Sequence, residues 1–179
     1  MNDCGIFVRT DLPGCQLRPW KPEDKNELVR IANNRKIWRN LTDMFSSPYT
    51  EANADFWIPF ANQSAPSVHL AIEFNGSLVG GIGIIAGKGI FCFTGQFGYW
   101  LGEAYWGKGI ATAAARAMVA HTMSSTSFAR LEAAVFQWNP PSMHVLEKVG
   151  FVREGVLKRS VYKDGQLIDS VMYALTRDV

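Results

Sequence analysis

A one-domain α/β fold is predicted from three features of this sequence. Strand-like and helix-like patterns follow one another in the order β-α-α-β-β-β-α-β-α-β-β. Asn75-Gly76 joins two apolar runs as a hairpin turn does. A glycine corner, Trp106-Gly107-Lys108-Gly109, runs directly into the alanine-rich stretch 110–117. Hairpins build antiparallel pairs, and a strand–helix–strand crossover builds a parallel one. The expectation is a central mixed, mostly antiparallel sheet of about seven strands flanked by about four helices. The 179 residues, 47% hydrophobic, suffice for one such core. No linker or repeat divides them.

The elements follow in order. Residues 1–14 show no apolar period and read as a loosely held extension, with the domain proper over 15–179. A short strand is expected at 15–20. Pro22 suits the first turn of a helix, Glu23 and Asp24 suit its positive end, and Leu28, Ile31 and Ala32 give it an apolar stripe. Residues 35–49 mix aromatics, charges and turn formers. Thr50 is placed to cap a second helix carrying Ala54, Phe56 and Trp57, which Pro59 limits or kinks. Strands are expected at 68–74 and 78–85, a turn at 87–89, and further strand material at 90–94 and 95–101. The helix after the glycine corner carries Ile110, Ala111, Ala114, Met118 and Val119 on one side and ends near Met123. A strand at 131–136, a helix from Asn139 stopped by Gly150, and strands at 151–162 and 167–175 complete the chain.

Composition excludes several functions. The formal charge of +2 comes from 18 basic and 16 acidic residues, too balanced for nucleic-acid binding by electrostatics. Cys4, Cys15 and Cys92 are odd in number and lack metal-ligand spacing, so they read as packing thiols of a reducing compartment, with no metal site expected. His69, His121 and His144 have no carboxylate or cysteine at catalytic spacing. The chain begins without a charged segment followed by an apolar one, and no apolar run reaches spanning length. A cytoplasmic protein is expected, a monomer or homodimer, with no membrane or direct nucleic-acid partner.

The chemistry is expected at the glycine corner. The first N–H groups of a helix lack internal partners and carry about half a positive charge, and glycines allow an anion to approach the backbone closely. Lys108 adds a full charge. A tight turn before an amphipathic helix is the alternative. A second group downstream, Asn139-Pro-Pro-Ser142 leading to Lys148-Val-Gly150-Phe151, weighs against it. A dinucleotide or ATP site is not indicated, because Gly-x-Gly-x-x-Gly and Gly-Lys-Ser/Thr are both missing.

Taken together, these segments resemble the GNAT superfamily of acetyl-CoA-dependent N-acetyltransferases, whose diphosphate loop reads Gln/Arg-x-x-Gly-x-Gly/Ala. Here that loop falls on Trp106-Gly107-Lys108-Gly109-Ile110-Ala111, with Trp106 in the first slot. The Gly98-Tyr99-Trp100-Leu101 strand, Asn139-x-x-Ser142, Trp38-Arg39-Asn40-Leu41 and Phe45-Ser-Ser-Pro48-Tyr49-Thr50 are similar to the branch containing ribosomal-protein N-terminal acetyltransferases. The likeness spans residues 17–175. It implies a GNAT-like fold that binds acetyl-CoA as co-substrate in a cleft between strands 97–101 and 131–136. Tyr99, Trp100 and Leu101 would meet the pantetheine arm, with Gly98 as a bulge opening the strand pair. Trp106, Gly107, Lys108, Gly109, Ile110, Ala111 and Thr112 would surround the diphosphate. Asn139 would contact the arm, and Ser142 would be the catalytic acid for the departing thiolate.

The resemblance further implies an acceptor cleft walled by residues 35–49 and 162–166, with Arg39, Asn40, Phe45 and Tyr49 as substrate-binding residues. Gln96 stands where many relatives carry a glutamate, which leaves Glu103, Glu154, Asp169 or water to receive the amine proton. The walls hold four basic residues and two acidic ones, whereas a polycation would need a carboxylate excess. A protein or peptide N-terminal amine is therefore expected as acceptor. The alternatives are a small amine (polyamine, aminoglycoside or amino acid) or a non-catalytic acyl-CoA-binding module.

Overall fold

The structure is a computed structural model describing residues 5–63 and 65–177. Eight strands make one sheet: β1 (Val8–Arg9), β2 (Cys15–Arg18), β3 (Val68–Phe74), β4 (Ser77–Ala86), β5 (Thr94–Leu101), β6 (Arg130–Phe136), β7 (Val152–Lys163) and β8 (Gln166–Thr176). Their order is β1-β2-β3-β4-β5-β6-β8-β7, antiparallel throughout except for the parallel β5–β6 pair. Five α-helices lie among the described residues: α1 (Lys25–Ala32), α2 (Arg35–Trp38), α3 (Glu51–Asn62), α4 (Ile110–Ser125) and α5 (Pro140–Val149).

The alternation of side chains along the strands builds a core on each face. Leu70 and Ile72 of β3 join Ile110, Ala114 and Met118 of α4 and Leu146 of α5 on one side. Ala71, between them, faces α1 and α3, where it meets Leu28, Ile31, Ala54 and Ile58. The helices are capped as their sequences indicate: Thr50 Oγ1 accepts from Asn53 N at α3, and Asn139 Oδ1 accepts from Ser142 N at α5. The Asn75-Gly76 turn has positive φ at both residues, 50° and 80°, as the tight hairpin requires.

Three expectations are corrected. The extension is not loose throughout. Val8 pairs with Leu17 and Arg9 with Gln16, Thr10 Oγ1 donates to the Cys15 carbonyl at 2.9 Å, and Asp11 is ion-paired with Arg116. Residues 1–4, including Cys4, lie outside the described residues. The apolar run 90–94 is not strand up to its end: Gly89–Phe91 forms a 3-10 turn, Ile90 is 92% exposed, and the strand begins at Thr94. Gly98 is no bulge. The β4–β5 register runs unbroken from Gly80↔Leu101 through Gly83↔Gly98 to Ala86↔Gly95, and the opening lies on the other edge of β5.

Candidate active site

β5 and β6 pair at Thr94↔Arg130, Gly95↔Leu131 and Gln96↔Glu132, then part. Each keeps its outer neighbour beyond that point, β5 against β4 as far as Leu101↔Gly80 and β6 against β8 as far as Phe136↔Ser170. A wedge therefore opens through the sheet, with exposed main chain on its β5 side. A Cβ added at Gly98 would meet nothing within 4 Å, so the sheet face that Gly98 shares with Trp100 is open at this residue.

The glycine corner follows directly. Gly107 and Gly109 hold φ of 72° and 78°, a left-handed conformation that favours glycine. A Cβ at either would meet nothing within 4 Å, so the space before the corner is free for a ligand. The first helical bond of α4 runs from Ala113 N to the Gly109 carbonyl. The N–H groups of Ile110, Ala111 and Thr112 thus point out of the helix end without helical partners. Ile110 is fully buried and anchors the turn. Trp106 folds back, its Nε1 donating to the Leu101 carbonyl at 2.9 Å, so its indole closes the corner and already occupies that strand carbonyl. Lys108 Nζ stands 5.5 Å from the Tyr105 ring centroid.

Strand alternation sends Tyr99 and Trp100 to opposite faces. Tyr99 crosses the wedge toward α5: its hydroxyl is 2.9 Å from Ser142 Oγ and donates to the Ser142 carbonyl at 3.3 Å. Burial pushes the Tyr99 phenol up to about 12, against a smaller opposing effect of its Ser142 bond. It therefore carries its proton at neutral pH. The two hydroxyls form a chain from the sheet interior to the start of α5. The sequence placed Tyr99 as a main-chain partner only. The signal for its side chain was the alternation itself, which sets Tyr99 on the α5 face.

Trp100 points to the other face, where the expected acceptor walls stand. Phe45 packs on it with ring centroids 5.3 Å apart. Tyr49, 5.1 Å from Phe45, is only 7% exposed and belongs to the core beneath α1 and α3. It supports the wall from behind rather than forming its surface, and burial pushes its phenol up to about 12. The Arg39 guanidinium lies 4.4 Å from the Trp138 ring centroid, and Asn40 Nδ2 donates to the Lys36 carbonyl at 2.9 Å. Lys163, its side chain 3% exposed, reaches Asp43 Oδ1 at 2.6 Å with its ammonium 3.8 Å from the Trp38 ring centroid. Arg35 pairs with Asp164 at 2.5 Å. The two walls are thus fastened to each other by charge.

The carboxylates considered for proton acceptance are all engaged. Lys36 and Asn34 hold Glu103 below the ordinary carboxylate range, Arg130 does the same to Glu154, and Lys158 with the Arg159 N–H does so to Asp169. His69 is packed against Trp57, 5.1 Å between centroids, and burial pushes its pKa down.

The open wedge, the unpartnered N–H groups and the glycine corner fit the arm and diphosphate of acetyl-CoA. Comparison with known proteins gives the family. Residues 15–152 match the acetyltransferase (GNAT) domain model. The chain is 26% identical over 166 residues to the SPbeta prophage-derived uncharacterized N-acetyltransferase YokL of Bacillus subtilis, covering 90% of this chain and 89% of that protein. It is 33% identical over 81 residues to the ribosomal-protein-serine acetyltransferase of Escherichia coli, a match covering 45% of each. Among solved structures it superposes on Mycobacterium smegmatis RimJ in complex with CoA-disulfide with TM-score 0.84 and 28% identity, over 97% of this chain and 88% of that one. The chain belongs to the GNAT family and is an N-acetyltransferase whose acetyl donor is acetyl-CoA.

Proposed function

We propose that this enzyme acetylates the N-terminal amine of a protein or peptide, by direct attack of the amine and without a covalent acyl-enzyme. The observation that carries this reading is that every carboxylate considered as a base is already held by a cation. Such a site suits an amine that gives up its proton readily. An α-amine has a pKa of about 7.7–8.0 and lysine about 10.4, so lysine costs about 3.4 kcal/mol more to deprotonate at neutral pH. The acidic groups of the walls, Asp43 and Asp164, are likewise paired, which leaves little to attract a polycation. The name of the similar E. coli protein, a ribosomal-protein-serine acetyltransferase, supports a protein acceptor.

In this reading residues 15–179 form the catalytic domain, working in the cytoplasm. The donor supplies a thioester carbonyl, with its diphosphate held by the N–H groups of Ile110, Ala111 and Thr112. Phe45, backed by Tyr49, shapes the acceptor face with Arg39 and Asn40. The amine, once its proton passes to water, attacks from that face. Ser142 gives its proton to the departing sulfur and takes the Tyr99 proton across their shared hydrogen bond, and solvent water returns a proton to Tyr99. The test is an acetylation screen pairing N-terminal peptides against spermidine, aminoglycosides and amino acids. Peptide turnover is expected, and robust turnover of spermidine or an aminoglycoside with none on peptides would overturn the assignment.

A further inference from the structure

Four buried side-chain polar atoms have no hydrogen-bond partner among the described residues: Trp20 Nε1, Arg39 Nε, Asn40 Oδ1 and Trp138 Nε1. Trp20 belongs to the core beneath α1 and α3. Of the other three, Arg39 and Trp138 are in contact and Asn40 adjoins Arg39 in the chain. Arg39 and Asn40 follow α2 directly, and the Arg39 guanidinium covers the Trp138 ring at 4.4 Å. Trp138 stands between β6 and the Asn139 cap, whose side chain holds the Ser142 N–H. The cluster therefore borders the acceptor side of the wedge. The Asn40 amide nitrogen is committed to the Lys36 carbonyl, which leaves its oxygen as the unpaired atom. An unsatisfied buried group costs about 1–3 kcal/mol, and packing alone gives no reason to gather three of them.

We propose that Arg39, Asn40 and Trp138 form a subsite for the first peptide unit of the acceptor. Two donors and one acceptor are the complement of a peptide group, whose carbonyl oxygen has two lone pairs and whose N–H gives one proton. The carbonyl next to the attacking amine accepts from Arg39 Nε and Trp138 Nε1, and the following N–H donates to Asn40 Oδ1. The Arg39–Trp138 stack shields these atoms in the free enzyme, so the guanidinium shifts along the ring as the acceptor enters. A polyamine carries no carbonyl and leaves both donors unpaired. Discrimination against it thus follows from the same three atoms.

The inference rests on the proposed acceptor class, and its test separates the two. The measurement is the ratio of kcat/KM for an amine bearing an adjacent amide carbonyl to that for the matching amino alcohol. It is made for the wild type, Trp138→Phe and Arg39→Lys. Trp138→Phe keeps the ring under Arg39 and removes only the N–H. The wild type should favour the carbonyl-bearing amine, and each substitution should reduce that preference about tenfold, the worth of one hydrogen bond to a buried donor. Thermal melting should show no loss of stability in Trp138→Phe, since the variant removes an unpaired buried donor. An unchanged preference in both variants, or a wild type indifferent to the carbonyl, overturns the subsite even if peptides are acetylated. If amino-acid amides are substrates and peptides are not, the acceptor reading fails, while the same ratio still decides the subsite.

Discussion

Replacing Ser142 with alanine is expected to lower kcat about a hundredfold while leaving acetyl-CoA affinity within a factor of about two. The magnitude follows from the geometry at the start of α5. The Ser142 N–H is held by the Asn139 side chain and the Oγ lies 2.9 Å from the Tyr99 hydroxyl, so the group is fixed before any ligand enters. A preorganised donor aimed at charge that appears only in the transition state is worth about 3 kcal/mol, or roughly two orders of magnitude in rate. Tyr99→Phe should cost about tenfold, because the phenol acts on the sulfur only through Ser142. Its proton is secure at neutral pH, since burial pushes the phenol up to about 12. If the two hydroxyls form one relay, the double variant is no slower than Ser142→Ala, and the cycle shows a coupling of about 1.4 kcal/mol. Single-turnover kinetics at saturating acetyl-CoA, with calorimetry for the donor, supply every term. Additive losses, or a Ser142→Ala enzyme at wild-type rate, would refute the relay. So would a loss of acetyl-CoA affinity as large as the loss of rate.

Three further outcomes are expected. Gly109→Val forces a β-branched residue into φ of 78°, at about 1–3 kcal/mol of stability, and should weaken acetyl-CoA binding at least tenfold by calorimetry. Unchanged affinity in the folded variant would place the diphosphate elsewhere. Lys163→Met keeps the buried stem but removes the charge between Asp43 and Trp38, and should raise the acceptor KM about fivefold with acetyl-CoA affinity unmoved, read from two-substrate kinetics. Burial raises the Glu73 pKa, but hydrogen bonds from Arg18 and Gln16 outweigh it and the net shift is downward. Its stabilisation is therefore full above the ordinary carboxylate pKa and lost as pH falls through the lowered folded value. Denaturant titrations across acid pH should show a shallower decline in Glu73→Gln.

Much of this fold could be read before any coordinates, because the residues involved answer to local rules. Gly107 and Gly109 announce positive φ, Asn75-Gly76 a tight hairpin, and Asn139-Pro140 a helix start. What escaped depends on contacts that no local rule reaches. A strand of two residues, Val8–Arg9, is too short to show alternation. Residues 90–94 have strand composition, yet Ile90 points into solvent because no neighbouring strand continues beside it. Within the site, the Ser142 role rested on its place after Asn139. Its partner Tyr99 lies 43 residues away; alternation sets the face of its ring, but the contact with Ser142 arises only where β5 and α5 meet. The burial of Tyr49 and the stacking of Arg39 on Trp138 likewise arise from how α2 and α3 settle on the sheet.

The short parallel contact between β5 and β6 has a mechanical consequence. Three residue pairs join strands β1–β5 to strands β6–β8, so the sheet divides into two plates along a narrow hinge line, backed by an apolar core that Phe97, Met118 and Val171 share. Tyr99 rides on one plate, and Ser142, through β6 and α5, on the other. Their 2.9 Å separation is thus a gauge of the angle between the plates. Leu131 and Phe128 pack directly at that hinge, each within reach of a Cβ placed at Gly95. Substitutions there touch no substrate, yet they reset the distance across which a proton must pass.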